Sequence, residues 1–154
     1  MSKLLLSTLL ALGVVLSLGA CGTQPEDTHP DQPVSKRKAI FKQIMRTLEP
    51  LGMVAREREA YNQQAFLAGA LELKQLSTRP WPHFTPDSNY PPTRAKAEVW
   101  QKPAEFKQAQ QHFVTATEKL VSAAQGGNLD LIRPAVKAVE KSCKACHEQF
   151  RGGV

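Results

Sequence analysis

The chain has 154 residues, of which 42% are hydrophobic and 22% are charged, and its net charge is +6. This length favours one globular domain, and this composition argues against a wholly disordered chain. Only 6% of the residues are aromatic and β-branched alternation is scarce, so helices are favoured over β-sandwiches and barrels. The positive charges are scattered without an aromatic platform between them, which argues against nucleic acid as a partner.

The amino terminus has the features of an export signal. Lys3 precedes a run of 17 uncharged residues, 4–20, that contains eight leucines and ends in small residues before Cys21. A permanent membrane span needs about 20 apolar residues, so this run better suits a signal peptide over residues 1–20. It resembles the bacterial lipoprotein signal, in which the cysteine receives a diacylglyceryl group and becomes the mature N-terminus.

We therefore expect a lipid anchor at Cys21 on the periplasmic side of the membrane, and Gly22 slightly favours the outer membrane. An ordinary secretory signal that leaves Cys21 as a free thiol is the alternative. Residues 21–34 contain much Pro, Asp, Gln and Thr and predict a flexible tether, in which His29 is interpreted as solvated rather than as a ligand. The folded domain is then predicted over residues 35–154.

The first two helical patterns lie between residues 35 and 76. The first begins near Ser35, which suits an N-cap, and Pro50 and Gly52 are expected to kink or end it. Its apolar stripe comprises Ile40, Ile44, Leu48 and Leu51. The second pattern extends over residues 56–76, and its predicted face comprises Tyr61, Ala65, Ala68 and Leu71. Residues 77–103 hold six of the eleven prolines and predict a packed loop with a short turn near residues 94–100.

The last two helical patterns are the most regular. The third opens with Pro103 and ends at Gly126 and Gly127, and the fourth is capped by Asn128 and contains Pro134 near its start. Apolar residues recur along both in steps of three and four. Two regular stripes, two looser ones and a short connection predict an all-α fold, an antiparallel four-helix bundle.

The segment Cys143-Lys144-Ala145-Cys146-His147 has the spacing of a c-type haem attachment site. Residues three and four apart share one face of a helix, so both thiols and the imidazole are expected to face one flat group. Two thiols then form thioethers with the haem, and the imidazole binds its iron. With Cys21 carrying lipid, this interpretation uses all three cysteines.

Three other interpretations of the motif are open. A thioredoxin-type dithiol needs a helix N-terminus in a βαβ unit, whereas this pair lies near the C-terminal end of a helix. A zinc site needs further ligands, and none accompanies the motif in the sequence. A disulfide between Cys143 and Cys146 is compatible with an oxidising compartment.

A C-terminal Cys-x-x-Cys-His on the last helix of a bundle resembles the cytochrome c′ family of the class II cytochromes c. Five further features share in the resemblance, namely Arg37, the Pro80-Trp81 pair, Trp100, the turn at residues 127–130 and Arg151. The resemblance covers about residues 35–151 and implies one covalent haem c. It also implies a homodimer through the first two helices and electron exchange with redox partner proteins.

The resemblance assigns roles to individual residues. It implies that His147 is the single proximal iron ligand and that Arg151 flanks it. It implies that Arg37 reaches a haem propionate and that Phe41 covers the sixth coordination position. An iron covered in this way is five-coordinate and high-spin, and its apolar face suits NO and CO. No enzymatic activity is expected.

Met45 lies one turn beyond Phe41 and leaves another interpretation open. If Met45 binds the iron opposite His147, the haem is low-spin and the protein is an electron-transfer cytochrome. A peroxidase-like enzyme needs a distal acid–base group, and neither His83 nor His112 shows any sequence sign of that position. A purely structural lipoprotein is the fourth interpretation.

Overall fold

The structure, a computed structural model, describes residues 25–153, so the predicted signal peptide and Cys21 lie outside the described residues. Its elements in chain order are α1 (Pro33–Ala55), α2 (Gln63–Leu76), a 3₁₀ turn (Trp81–His83), α3 (Glu98–Gln101), α4 (Pro103–Gly126) and α5 (Leu129–Phe150). Helix α1 packs on α2, α2 on α4, α4 on α5, and α5 on α1. The predicted four-helix bundle is confirmed. None of the helices within residues 25–153 is long and apolar enough to cross a membrane.

Helix α1 buries the stripe that its sequence predicts, comprising Ile40, Ile44, Leu48 and Leu51. Its ends differ from the prediction. It begins at Pro33. A proline is tolerated at the first position because the N–H that it lacks would have no helical partner there. The helix continues past Pro50 and Gly52 to Ala55. Pro50 removes one backbone hydrogen bond, but its ring is exposed while Leu51 is buried, so packing of the stripe maintains the helix.

Helix α2 is shorter than predicted and buries another face. It begins after Asn62, whose side chain accepts a hydrogen bond from the N–H of Ala65 at 2.9 Å, and residues 56–62 form a connection. The buried side chains are Phe66, Ala70, Leu73 and Leu76, whereas Ala65, Ala68 and Leu71 are exposed. The predicted face is therefore wrong. The apolar residues of α2 are spread over all sides of the helix. Burying the face with Phe66 and Leu73 removes more apolar area from water than burying the face with Ala65 and Ala68 would.

Helices α4 and α5 match their predicted bounds. Gly127 ends α4 in the left-handed conformation at φ 68°, and Asn128 caps α5 by accepting from the N–H of Asp130 at 2.8 Å. Pro134 lies inside α5 without ending it. Leu120 of α4 and Ile132 of α5 are fully buried, so the two regular stripes form the centre of the core.

The segment before α1 is attached to the fold. Asp27 is only 5% exposed, and it accepts hydrogen bonds from the N–H of Ser35 at 2.6 Å and from the hydroxyl of Tyr90. The ring Nε2 of His29 lies 3.1 Å from the carboxylate of Asp87. Over residues 25–34 the chain is therefore attached to the fold rather than a free tether, and His29 is partly exposed in a surface contact. Residues 25–32 are ordered by hydrogen bonds to Asp87 and Tyr90 of a distant loop, and the periodicity of the sequence does not reveal such contacts.

Residues 77–102 form the predicted packed loop, which contains the 3₁₀ turn and α3. Its second half is bound to the end of the chain. The N–H of Lys96 donates to the carbonyl of Phe150 at 2.9 Å, and the N–H of Gly152 donates to the carbonyl of Arg94 at 2.8 Å. These bonds fix the loop beside the last turn of α5.

Candidate functional site

The last two turns of α5 carry the predicted attachment motif. Cys143 and Cys146 are half-buried, free thiols. Cys143 packs against the main core between the four long helices. Cys146 packs against a second apolar cluster, which comprises Val99, Phe106 and Phe150. Trp81 packs against both clusters, so the two thiols lie along one boundary inside the protein.

The acidity of the two thiols distinguishes haem attachment from a thioredoxin-type dithiol. Burial raises the pKa of the Cys143 thiol to about 11, and the neighbouring Cys146 adds to the rise. Burial also raises the pKa of Cys146. A reactive thioredoxin-type dithiol has a lowered pKa, so the structure argues against that interpretation. Within residues 25–153 no three His, Cys, Asp or Glu side chains are grouped so that they could hold a metal ion.

His147 follows Cys146 at the surface of α5. Partial burial of the imidazole lowers its pKa, and the charge of Arg151 lowers it further. The ring is therefore neutral near pH 7, which is the form that binds a metal. Arg151 donates its N–H to the carbonyl of His147 at 3.0 Å, and its backbone pairs with Ala95. Arg151 thus lies beside His147, and its role toward a haem stays a prediction.

Five aromatic side chains from α1, the loop and α4 form one group, called here the aromatic cluster; they are Phe41, Trp81, Phe84, Phe106 and Phe113. The ring of Phe41 meets Trp81 edge-on with centroids 5.8 Å apart and Phe84 with centroids 6.4 Å apart. Trp81 lies 6.0 Å from Phe106 and 6.4 Å from Phe113. Edge-to-face pairs at such distances are favourable.

Of this cluster, only Phe41 was predicted from the sequence as a site residue. Trp81 was part of the family resemblance without a role of its own, and the other three aromatic residues were not predicted to lie at the site. The signal that could have found Trp81 and Phe84 is their place three positions apart in a proline-rich loop, because large aromatic side chains gain free energy when they are buried against other apolar groups. The structure places both against Phe41.

Arg37 is 3% exposed and both of its terminal nitrogens are engaged by the loop. One donates to the carbonyl of His83 and to the hydroxyl of Ser88, both at 2.7 Å. The other donates to the carbonyl of Ser88 at 2.9 Å and to the hydroxyl of Thr93 at 2.7 Å. Burial lowers the pKa of Arg37, opposed by Tyr90 and Asp27, and the group stays protonated. The predicted contact with a propionate stays a prediction.

Met45 does not lie with the other site residues. It is 52% exposed and lines a shallow surface groove with Arg46, Glu49 and Met53. A thioether at the outer surface of α1 does not suit an iron ligand opposite His147. The structure therefore does not favour the low-spin interpretation. His112 is exposed on α4, and His83 contributes its backbone carbonyl to Arg37.

The residues at the end of α5 fit a covalently attached haem. The two half-buried thiols would supply the attachment points, the imidazole would supply the iron ligand, and the aromatic cluster would supply an apolar surface. The indole Nε1 of Trp81 is buried without a hydrogen-bond partner in the described part of the chain. A buried donor is costly without an acceptor, and a haem carboxylate is an acceptor of that kind.

Comparison with known proteins agrees with this geometry. The family model described as "Cytochrome C'" matches residues 32–151. A cytochrome c′ from Alcaligenes xylosoxydans xylosoxydans is 34% identical over 122 residues, which is 79% of this chain and 94% of that protein. The nitric oxide complex of a variant of cytochrome c prime from Alcaligenes xylosoxidans has a TM-score of 0.78 and 32% identity, and covers 84% of this chain and 100% of that one. A carbon monoxide-bound variant from the same organism has a TM-score of 0.77 and 33% identity, and covers 83% and 100%.

The bundle and its Cys-x-x-Cys-His motif define a c-type haem protein, and Cys143 and Cys146 are compatible with the attachment motif of that class. Within that class, the chain belongs to the cytochrome c′ family. Proteins of this family carry covalent haem c.

Proposed function

We propose that this protein binds NO and CO at a five-coordinate, high-spin haem iron that His147 holds from one side only. The packing of Phe41 carries the proposal: its ring is held edge-on by Trp81 and Phe84, which makes a face of the site apolar. When bound, the haem supplies an iron with one free coordination position. Small neutral molecules enter such a face more readily than anions, which lose their hydration there.

One feature of the chain supports one protein ligand rather than two. Met45, the second ligand in the alternative interpretation, is 52% exposed on the outer side of α1. Relatives of this chain have been solved with NO and with CO bound, which supports the same two gases as ligands here.

Trp81 completes the proposed site. Its buried Nε1 has no partner within residues 25–153, and we assign it as the donor to a carboxylate of the haem. The indole would then pack against Phe41 while its N–H holds the haem. Phe41 has no polar atom, so it would offer no hydrogen bond to a molecule at the free coordination position.

We also propose that the protein works on the periplasmic side of the membrane, anchored by lipid at Cys21. The leucine-rich run before Cys21 supports this placement. Covalent haem attachment outside the bacterial inner membrane agrees with it. Mass spectrometry of protein purified from membranes tests the anchor, because a diacylglyceryl-modified Cys21 and an unmodified thiol differ in mass.

The gas-binding proposal is tested by flash photolysis of the ferrous CO complex. Phe41→Ala removes the ring over the free coordination position, and CO association is expected to become at least about tenfold faster. This is the change expected if the fraction of molecules whose iron is accessible to CO rises about tenfold. Leu71→Ala is the matched control, because Leu71 is an exposed apolar residue on α2. If Phe41→Ala and the control associate with CO at the wild-type rate, Phe41 does not cover the iron.

A further inference from the structure

Two of the residues that contact Phe41 belong to the loop of residues 77–102. Trp81 lies in the 3₁₀ turn and Phe84 directly follows it. Apart from that turn and the four residues of α3, this loop has no helix of its own to hold its aromatic side chains in place. Its position against Phe41 therefore depends on tertiary bonds.

Arg37 supplies these bonds from α1. Its four terminal hydrogen bonds reach His83, Ser88 and Thr93, which lie 46 to 56 residues along the chain. The acceptors are themselves connected within the loop. The hydroxyl of Ser88 donates to the carbonyl of Thr85 at 2.8 Å, and that of Thr93 accepts from the N–H of Ala95 at 3.1 Å. One guanidinium thus joins both arms of the loop.

Arg37 also touches the aromatic residues directly. The guanidinium carbon lies 4.5 Å from the ring centroid of Phe84 and 5.9 Å from that of Trp100. Trp100 is fixed in turn, because its Nε1 donates to the carbonyl of Thr85 at 2.8 Å. A cation over an aromatic face is attracted by the ring, so Arg37 holds Phe84 by stacking as well as by bonds to its neighbours.

The other attachments of the loop do not replace Arg37. The bonds of Arg94 and Lys96 to Gly152 and Phe150 fix its second half to the C-terminal end of the chain. Asp27 holds Tyr90 near the amino end of α1. Phe106 of α4 contacts the ring of Phe84 with centroids 5.0 Å apart, whereas Arg37 contacts that ring from α1, one turn before Phe41.

We propose that Arg37 is a positioning residue that holds Phe84 and Trp81 against Phe41 and thereby sets how fast small gases pass Phe41. The inference rests on the proposed function and deepens it. It also gives the guanidinium a role that needs no contact with a propionate. Loosening the loop is then expected to open the same apolar face that Phe41→Ala opens.

The test distinguishes two roles of Arg37: holding the loop through its hydrogen bonds (called here the clamp) and contacting the haem. Arg37→Gln removes the guanidinium on α1. Ser88→Ala and Thr93→Val remove hydroxyl acceptors from the loop and leave Arg37 intact. Arg46→Gln is the matched control, since Arg46 is an exposed arginine of the same helix. The measurements on holoprotein are CO association, hydrogen exchange of the amides at residues 83–95, and the pH dependence of the midpoint potential.

If the proposal holds, the Arg37 variant and both loop variants speed CO association, by about tenfold for Arg37→Gln, and speed hydrogen exchange in the loop. The loop variants leave the pH profile of the potential unchanged. The proposal is overturned if Ser88→Ala and Thr93→Val match wild type in both rates while Arg37→Gln alone differs. If wild-type protein fails to bind CO, the proposed function fails, and hydrogen exchange still reports the clamp. Should Arg37→Gln not fold, the two loop variants decide the outcome.

Discussion

Asp27 accepts a hydrogen bond from the backbone N–H of Ser35 at 2.6 Å, although the two residues lie eight positions apart in the chain. Ser35 is the third residue of α1, and its N–H is one of those that a helix start leaves without a helical partner. The N-cap residue Gln32 makes no side-chain capping bond. Asp27 therefore caps α1 from a distance, and it also binds the loop through Tyr90.

Replacing Asp27 by alanine is expected to lower the free energy of unfolding of the holoprotein by about 1–2 kcal/mol, the usual cost of a lost helix cap. Chemical denaturation measures this change. Asp31→Ala is the control, because Asp31 is an exposed carboxylate of the same segment. Equal stability of the two variants would show that the bonds of Asp27 do not stabilise α1.

Stability is also expected to depend on pH through Asp27. Burial by itself raises the pKa of this carboxyl, but hydrogen bonds from Tyr90 and Ser35 outweigh it, and the net pKa is lowered. Because the pKa of Asp27 is lower in the folded than in the unfolded protein, its ionised carboxylate stabilises the fold at pH values above the unfolded pKa of about 3.9. This contribution is lost as the pH falls through the folded pKa. The stability difference between wild type and Asp27→Asn should be constant near neutrality and shrink below about pH 4. A difference that grows on acidification contradicts this assignment.

Trp81→Phe tests the donor assigned to the haem. The variant keeps an aromatic ring against Phe41 but lacks the indole N–H. A carboxylate that loses a donor has a higher pKa, so the pH profile of the midpoint potential is expected to shift to higher pH. CO association should stay at the wild-type rate. A changed C–O stretching frequency with an unchanged potential profile would instead direct this N–H at the bound gas.

Met45→Leu distinguishes the two axial ligand sets. Because Met45 is half exposed in a surface groove, the variant is expected to keep the absorption spectrum of the wild type in both oxidation states. Ile44→Val is a control on the neighbouring buried position. Conversion of a low-spin spectrum to a high-spin one by Met45→Leu alone would establish Met45 as an iron ligand.

The sequence predicted those parts of the fold that depend on local periodicity. The stripe of α1 and the bounds of α4 and α5 follow from apolar residues three and four apart and from the caps at Gly127 and Asn128. The buried face of α2 could not be predicted as well, because apolar residues surround that helix. The attachment motif was evident for the same local reason, since its three functional residues lie within five positions.

The loop and the amino-terminal segment were beyond such reasoning. Arg37 binds residues at least 46 positions away, and His29 meets Asp87 across 58 positions, so no short pattern records these contacts. Polar segments of this composition usually predict flexibility. Here a buried arginine and a buried aspartate order them, and the cost of burying both charges is offset by their hydrogen bonds.

Whether His147 is the single protein ligand of a covalent haem is decided by the absorption spectrum of the purified, matured holoprotein in its ferric and ferrous forms. We expect covalently bound haem with high-spin, five-coordinate spectra that change on addition of CO to the ferrous form. A sulfur-to-iron charge-transfer band, together with a ferrous spectrum that CO leaves unaltered, would contradict it.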